Sequence, residues 1–477
     1  MAKEKIQRSV RQQKSIKKPM SKKIKIILSC VISSVVLIGA IIGLVVGLNS
    51  KKTLFDYLTL EVDTRTDTFI ITDVSEKLKG EITIPEEYKG RKITIIGNNA
   101  FYRSNITKLN LPNSITNFGT RAFMKAGNLK TINVPENLYT IGSDCFMDCV
   151  SLESFGASEV TTTIGDNAFR NCQALESFTF NEKVINVGSG VFGHCYNLEK
   201  IEISESVRNI GGPIFTYCLN LTEIKVADGN VKYEAVNNCL IDKEAKNVIS
   251  GCKTSEIPEG VVSIGESSFE GIRGLTKATI PSSVTEIKTC AFYGCELLGT
   301  ECNGFVDISS VQTIGRNAFT LCSSLTRVEL AGLIEELAFS VFTNCKNLET
   351  VVISAVNLKT LPVQTFYDCD KLSSVSIINN LEVIGQYAFG RCKLLTTLSL
   401  PSSLLKIESS AFEECIGLTD IYIPSGVTEI QDFAFNGCKD DLNLLMQASS
   451  KNADFGEKWN YNRVNHELTT LWGQTAN

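Results

Sequence analysis

The chain has 477 residues, with 47 Lys/Arg against 52 Asp/Glu, and its charge is split: residues 1–25 hold 10 Lys/Arg and one Glu, leaving 37 Lys/Arg against 51 Asp/Glu beyond them. An acidic body argues against nucleic acid as a partner, since binding phosphate needs a basic face. Only two His occur, His194 and His466, which leaves little material for His-based acid–base or metal chemistry.

In chain order, residues 1–25 form a basic tail that meets an uncharged run of 23 residues, Ile26 to Leu48. At about 1.5 Å per residue in a helix this run is long enough to cross a bilayer core. A cleaved signal peptide has a shorter apolar region followed by a small-residue site, whereas here Lys51 and Lys52 follow. The spacing predicts an uncleaved transmembrane signal anchor over 26–48, and the Lys/Arg excess before it predicts a cytoplasmic N-terminus with the rest outside. Ile27-Leu28-Ser29-Cys30 superficially matches a lipoprotein processing site, but the apolar run continues past Cys30. Gly39, Gly43 and Gly47 fall at i, i+4 and i+8, one small-residue face on which a second membrane helix can pack to give a homodimer; Gly is also simply common in membrane helices.

Residues 49–60 read as a tether. From 61 to 95 the chain alternates apolar and polar residues, with Gly80 and Gly90 as turn points, which reads as short strands forming an N-terminal cap. Then comes a repeat. The unit is Ile164-Gly165-Asp166-Asn167-Ala168-Phe169 with Cys172 and Leu175 behind it, and its Phe recurs 14 times, from Phe101 to Phe435, with nine of the 13 gaps equal to 23 residues. Such a period means stacked units sharing one core rather than separate domains.

Each unit reads as two short strands and a turn. In Ile201-Glu202-Ile203 the alternation points both Ile inward. Pro follows the first strand at Pro112, Pro135, Pro281, Pro401 and Pro424, where its missing donor ends the ladder. Gly stands four residues before the Phe in nine of 14 copies, which suggests a tight corner or a positive φ. The run Ala-Phe-x-x-Cys-x-x-Leu places apolar residues at i, i+3 and i+6, which suits one helical turn.

The pattern Leu-x-x-Ile-x-Ile-Pro-x-x-Val-x-x-Ile-Gly-x-x-Ala-Phe-x-x-Cys, nearly complete at Leu275 to Cys295 and Leu418 to Cys438, resembles the BspA-like leucine-rich repeats of bacterial and protist surface proteins. The resemblance implies surface exposure and binding to proteins of a host, a matrix or neighbouring cells. The fold expected is a β-rich leucine-rich-repeat solenoid of about 15 coils of ~23 residues, with short parallel strands and helical turns, preceded by one transmembrane helix. Repeats occupy 96–439 and a C-terminal cap 440–477. Lys288, Ala338, Pro362, Glu408 and Gln431 replace the corner Gly, while Ser104, Ala126 and Ile272 replace the Cys.

Two places break the period. The 54 residues from Phe215 to Phe269 contain strand-like segments at Val231–Glu234 and Asn247–Ser250 around a polar turn, which reads as a hairpin insertion over about 229–255. The 27 residues from Phe292 to Phe319 predict a bulging loop at 299–307.

Of the 17 Cys, eleven stand three residues after a repeat Phe. A buried column of thiols behaves as small hydrophobes and needs no further role, and its parallel side chains do not point at one another as a disulfide requires. Cys239 and Cys252 flank the hairpin and are candidates for a bridge in an oxidising exterior. No nucleotide loop, nucleophile elbow, zinc-protease helix or calcium loop is found, so no cofactor, metal or enzymatic role is expected.

The candidate partner surface is the outward residue of each first strand: Asn110, Asn133, Thr179, Glu202, Lys225, Thr279, Glu329, Val352, Ser376, Ser399 and Tyr422. Its mixed, mostly small polar character suits broad protein contact, although solvent-facing strand residues look the same. The expectation is a single-pass membrane protein displaying a ligand-binding array. The alternative is a coat component self-associating through the repeats.

Overall fold

A computed structural model describes residues 52–378, 380–463 and 466–474. The expected membrane helix over 26–48, with Gly39, Gly43 and Gly47, lies outside them. Among the described residues no helix is long and apolar enough to cross a membrane. The chain divides into two compact units, Met1–Tyr57 and Leu58–Asn477. In the first, the described residues form a short 3-10 turn, Leu54–Tyr57. The second is a β-solenoid of about 17 turns rather than about 15, because the segments before, within and after the 14 Phe-bearing coils add to the stack.

The solenoid opens with strand Leu58–Asp63 antiparallel to Thr68–Val74, which pairs in parallel with Arg91–Ile96, which in turn pairs with the second strand of the first repeat, Asn117–Phe118. An extra antiparallel strand thus finishes the stack without offering the bare end of a coil. Strand Leu58–Asp63 begins three residues inside the stretch read as a tether.

Second strands are two residues long and pair parallel from coil to coil, as in Thr140–Ile141 with Thr163–Ile164 and Asn186–Val187. Their apolar residue is buried except at the half-buried Ile210, and the residue before it is turned outward except at the buried Ser263. First strands form a separate sheet. Its longest stretch runs through Arg327–Leu330, Thr350–Ile353, Ser374–Ile377, Thr397–Ser399, Asp420–Ile423, Asn443–Met446 and Thr469–Leu471.

The expected helical turn does not form. No α-helix occurs among the described residues, and the helical elements are two 3-10 turns. Instead the second residue before and the second residue after each Phe commonly take positive φ, as in Arg121 (59°) and Lys125 (63°), Asp144 (55°) and Asp148 (64°), and Asn167 (52°) and Asn171 (60°). This alternation turns every other amide along the solenoid axis. Arg121, Phe123 and Lys125 donate to the carbonyls of Ser143, Cys145 and Met147 of the next coil at 2.9, 2.8 and 2.8 Å, while the amides between them close short turns within the coil, such as Met124 N to Arg121 O at 3.1 Å. A helical turn would satisfy these amides internally and leave adjacent coils unbonded.

Corner glycines also serve a purpose other than a left-handed bend. None of the nine has positive φ. A Cβ at Gly142 would stand 2.6 Å from Gly119 C, and one at Gly165 2.5 Å from Ser143 N. At each of these nine corners the backbone or a side chain of the previous coil lies too close to admit a Cβ.

The interior is a column of stacked rings. Phe101, Phe123, Phe146, Phe169, Phe192 and Phe215 lie 4.9–6.0 Å apart, and Phe269 through Phe435 lie 5.2–5.7 Å apart, all near parallel. At the C-terminal end Phe455 and Trp459 are buried, and the Trp459 ring lies 6.2 Å from that of Trp472. These aromatics close the last coil.

The insertion is a meander rather than one hairpin. Tyr233–Val236 pairs antiparallel with Cys239–Asp242 through a two-residue turn at Asn237 and Asn238, both with positive φ, and Cys239–Asp242 pairs antiparallel with Asn247–Ser250. Consecutive left-handed residues are what such a turn demands, and Asn tolerates them best among side-chain-bearing residues. Asn247–Ser250 then pairs parallel with second strand Ser263–Ile264. In the turn layer Tyr217 N still bonds Glu270 O at 2.9 Å, while the meander wedges its strands into the second-strand face, sets Gly251 against the Phe269 ring and caps Ile224 N with the Asn238 side chain. The second break in the period is, as expected, a loop: a 3-10 turn at Thr300–Cys302 flanked by left-handed Gly299, Asn303 and Gly304.

Candidate protein-binding faces

The first-strand stripe is aligned within each group of paired first strands. Glu202 stands opposite Lys225, and Glu329, Val352, Ser376, Ser399 and Tyr422 are successive partners in register. Asn110 and Thr179 lie in further first strands, Asn133 and Thr279 lie outside any strand, and none of the eleven residues is buried. Gly156 and Leu445, which are not among the eleven, pair in the same register.

Not all eleven are free to bind. Asn133 spends both ends of its amide on the Leu111 backbone, at 2.6 and 2.8 Å. Asn110 bonds Glu81 and Thr83, Tyr422 donates its hydroxyl to the Gln474 carbonyl at 3.0 Å, Lys225 pairs with Glu223 at 2.8 Å, and Glu329 pairs with Arg327. Thr179, Glu202, Thr279, Val352, Ser376 and Ser399 are the more open of the eleven.

The depressions lie elsewhere, on the second-strand face. One of about 860 Å³ runs from Glu266 to Pro362, and one of about 600 Å³ and another of about 310 Å³ adjoin the meander at Lys232 and Tyr233. The largest is walled in part by Lys288, Ala338 and Pro362, three of the five residues that replace the corner Gly. Those departures were legible in the sequence, but the face they open was not identified.

The cysteine column is interior. Each of its eleven thiols reaches the carbonyl of a Phe in the preceding coil, from Cys149 to Phe123 at 3.1 Å to Cys438 to Phe412 at 3.1 Å. Burial pushes these thiols up: Cys218, Cys345 and Cys438 to about 12. They are therefore protonated, weakly bonded fillers, unsuited to nucleophilic or metal-binding work. The coil that carries Ile272 in place of Cys follows the meander, where the regular neighbour is displaced. Cys239 and Cys252 are buried, separate thiols and not a disulfide. The Ser255 hydroxyl donates to the Asn238 carbonyl at 2.6 Å and lies 3.7 Å from Cys252 Sγ, while the Cys239 thiol contacts the Glu256 carbonyl at 3.5 Å. These contacts occupy the two sulfurs singly.

The His194 ring stacks on Tyr217 at 4.4 Å and meets Arg170 at 3.1 Å. Burial first, and the Arg170 charge second, hold its pKa below the ordinary histidine value. No group of three or more His, Cys, Asp or Glu among the described residues is placed to hold a metal ion.

A search of curated protein sequences finds no relative. Among solved structures, the chain is similar to a leucine-rich repeat protein from Eubacterium ventriosum (22% identity, 81% of this chain and 94% of that one, TM-score 0.52). It is also similar to the pneumococcal vaccine antigen PcpA (19% identity, 74% and 92%, TM-score 0.59) and to a leucine-rich repeat protein from Bacteroides ovatus (21% identity, 82% and 94%, TM-score 0.50). Identities this low speak to the fold. Residues 75–162, 94–222, 140–247, 241–369 and 359–456 match the BspA type leucine rich repeat region, which together cover most of the chain. The protein belongs to the BspA-type leucine-rich repeat family.

Proposed function

We propose that the chain is a membrane-anchored surface protein whose repeats bind other proteins, in adhesion to a host, a matrix or neighbouring cells. The observation that carries this reading is the seven-stranded first-strand sheet from Arg327 to Leu471, whose outward face is built of small polar and occasional apolar side chains. Such a surface suits broad protein contact. The 23 uncharged residues from Ile26, preceded by ten Lys/Arg, supply the anchor and its orientation. Burial withdraws the eleven column thiols from nucleophilic chemistry, in keeping with a binding scaffold.

The test compares cells producing the full chain with cells lacking it, on immobilised matrix proteins and on monolayers of other cells. The proposal expects adhesion to fall when the protein is absent. Equal adhesion, together with lateral self-association of the purified protein, would replace it with a coat role.

A further inference from the structure

We propose that the depression between Glu266 and Pro362 is a docking groove for an extended, basic segment of a partner protein. The inference rests on the protein-binding reading above and adds a place and a ligand chemistry. The groove spans five coils, from that of Phe269 to that of Phe366, or about 19 Å at a strand spacing of about 4.8 Å, room for roughly six extended residues at 3.3 Å each. On the N-terminal coils the outward residues of the second strands are neutral: Asn117, Thr140, Thr163, Asn186 and Asn209. Along the groove two of the corresponding positions are acidic, Glu286 and Glu336, and Glu266 and Glu335 stand beside them.

Charge pairing leaves a clear surplus there. Lys288 is matched by Glu286 at 3.6 Å and Lys359 by Glu382 at 3.0 Å. Glu266, Glu335 and Glu336 line the groove and have no cationic partner among the described residues. Grouped carboxylates on a recessed surface attract cations and speed their encounter. The rims are apolar: Leu333 and Val356 stand exposed just before the second strands of two consecutive coils, and Phe339 and Val363 just after them. An extended segment projects alternate side chains to opposite faces, so it can set Lys or Arg on the floor while neighbouring apolar groups meet the rims. A phosphate-bearing or acidic ligand would face repulsion.

The experiment uses the full chain in phosphatidylcholine nanodiscs and fluorescein-labelled nonapeptides, read by anisotropy. One peptide alternates Lys and Thr between terminal Leu residues, a second has Glu in place of Lys, and a third series tiles residues 1–25 of this chain. The Lys peptide is expected to bind, to weaken as salt rises, and to lose about tenfold in affinity when Glu266→Gln, Glu335→Gln and Glu336→Gln are combined, in line with modest contributions from each exposed pair. Glu153→Gln with Glu176→Gln, on distant coils, is expected to change nothing. Equal binding of Lys and Glu peptides, or no effect of the triple substitution, would overturn the groove assignment. Tighter binding of a residue 1–25 peptide than of the Lys peptide would overturn the foreign partner and assign the groove to a second copy of this chain. Failure here with adhesion intact would leave the general function standing. Peptide binding by a protein that never reaches the surface would do the reverse.

Discussion

The Tyr233 hydroxyl accepts the Ile210 backbone N–H at 2.9 Å and donates to the Arg208 carbonyl at 3.3 Å. One side chain from the meander thus closes the edge of second strand Asn209–Ile210, where a regular coil would have supplied backbone groups. Tyr233→Phe leaves an amide and a carbonyl without that partner, so stability is expected to fall by about 1–2 kcal/mol. Hydrogen exchange at the Ile210 amide should accelerate while exchange in the coils around Phe412 stays unchanged, because coils couple to near neighbours. Unaltered exchange at Ile210 would refute the edge-closing role.

Gly251 lies flat on the Phe269 ring, where a Cβ would overlap the ring edge. Phe269 is 1% exposed and stacked on Phe292, so it cannot swing aside. Gly251→Ala is expected to cost about 1–3 kcal/mol through overpacking. Gly127→Ala, whose Cβ would meet only Val150 at 3.7 Å, is the matched control and should be near neutral. Equal urea midpoints for the two variants would contradict the geometry.

Alkali should unfold the protein earlier than its surface charge suggests. The Cys345 thiol is pushed up to about 12 by burial, whereas an unfolded thiol titrates near 8.5. The folded state therefore holds protons that the unfolded state releases. The associated stability is fully present below about pH 8.5 and declines between there and about pH 12, by up to about 1.4 kcal/mol per pH unit for each thiol. Urea midpoints measured from pH 8 to 10.5 should fall with pH, and the fall should be shallower in Cys345→Ala. An identical slope in both proteins would count against a buried, neutral thiol.

Thiol chemistry gives a further check. Cys290 and Cys302 are partly exposed, while the eleven column cysteines are buried. Brief maleimide treatment of the folded protein, followed by mass spectrometry of peptides, should label Cys290 and Cys302 first and the column only after denaturation. Early labelling of Cys322 or Cys369 would contradict the packing.

The 23-residue period gave away the stack, the inward Phe, Cys and Leu, and the alternation of first-strand residues, because burial in a solenoid repeats with the chain. Backbone conformation was harder to read. Apolar residues at Ala168, Phe169, Cys172 and Leu175 fit a helical turn by spacing, yet the left-handed residues lie between them and vary from Asn167 to Leu321 to Phe433; the enrichment of Asn, Asp and Gly at those places was the available signal. Corner glycines misled for a related reason: positive φ and close backbone approach both demand Gly, and only the position of Gly142 beside Gly119 distinguishes them. Of the candidate faces, the first-strand row followed from alternation. The groove did not, because Glu266 belongs to the coil of Phe269 and Glu335 and Glu336 to that of Phe342, and they line one depression only once the coils are stacked.

The central claim is that the repeats work outside the cell. Its most direct measurement is protease treatment of intact producing cells, with antibodies raised against residues 1–25 and against the repeats. The account predicts that the repeats are cut from the surface while the basic tail stays protected until the cells are lysed. Repeats that survive on intact cells, with the tail cleaved or both segments protected, would contradict it.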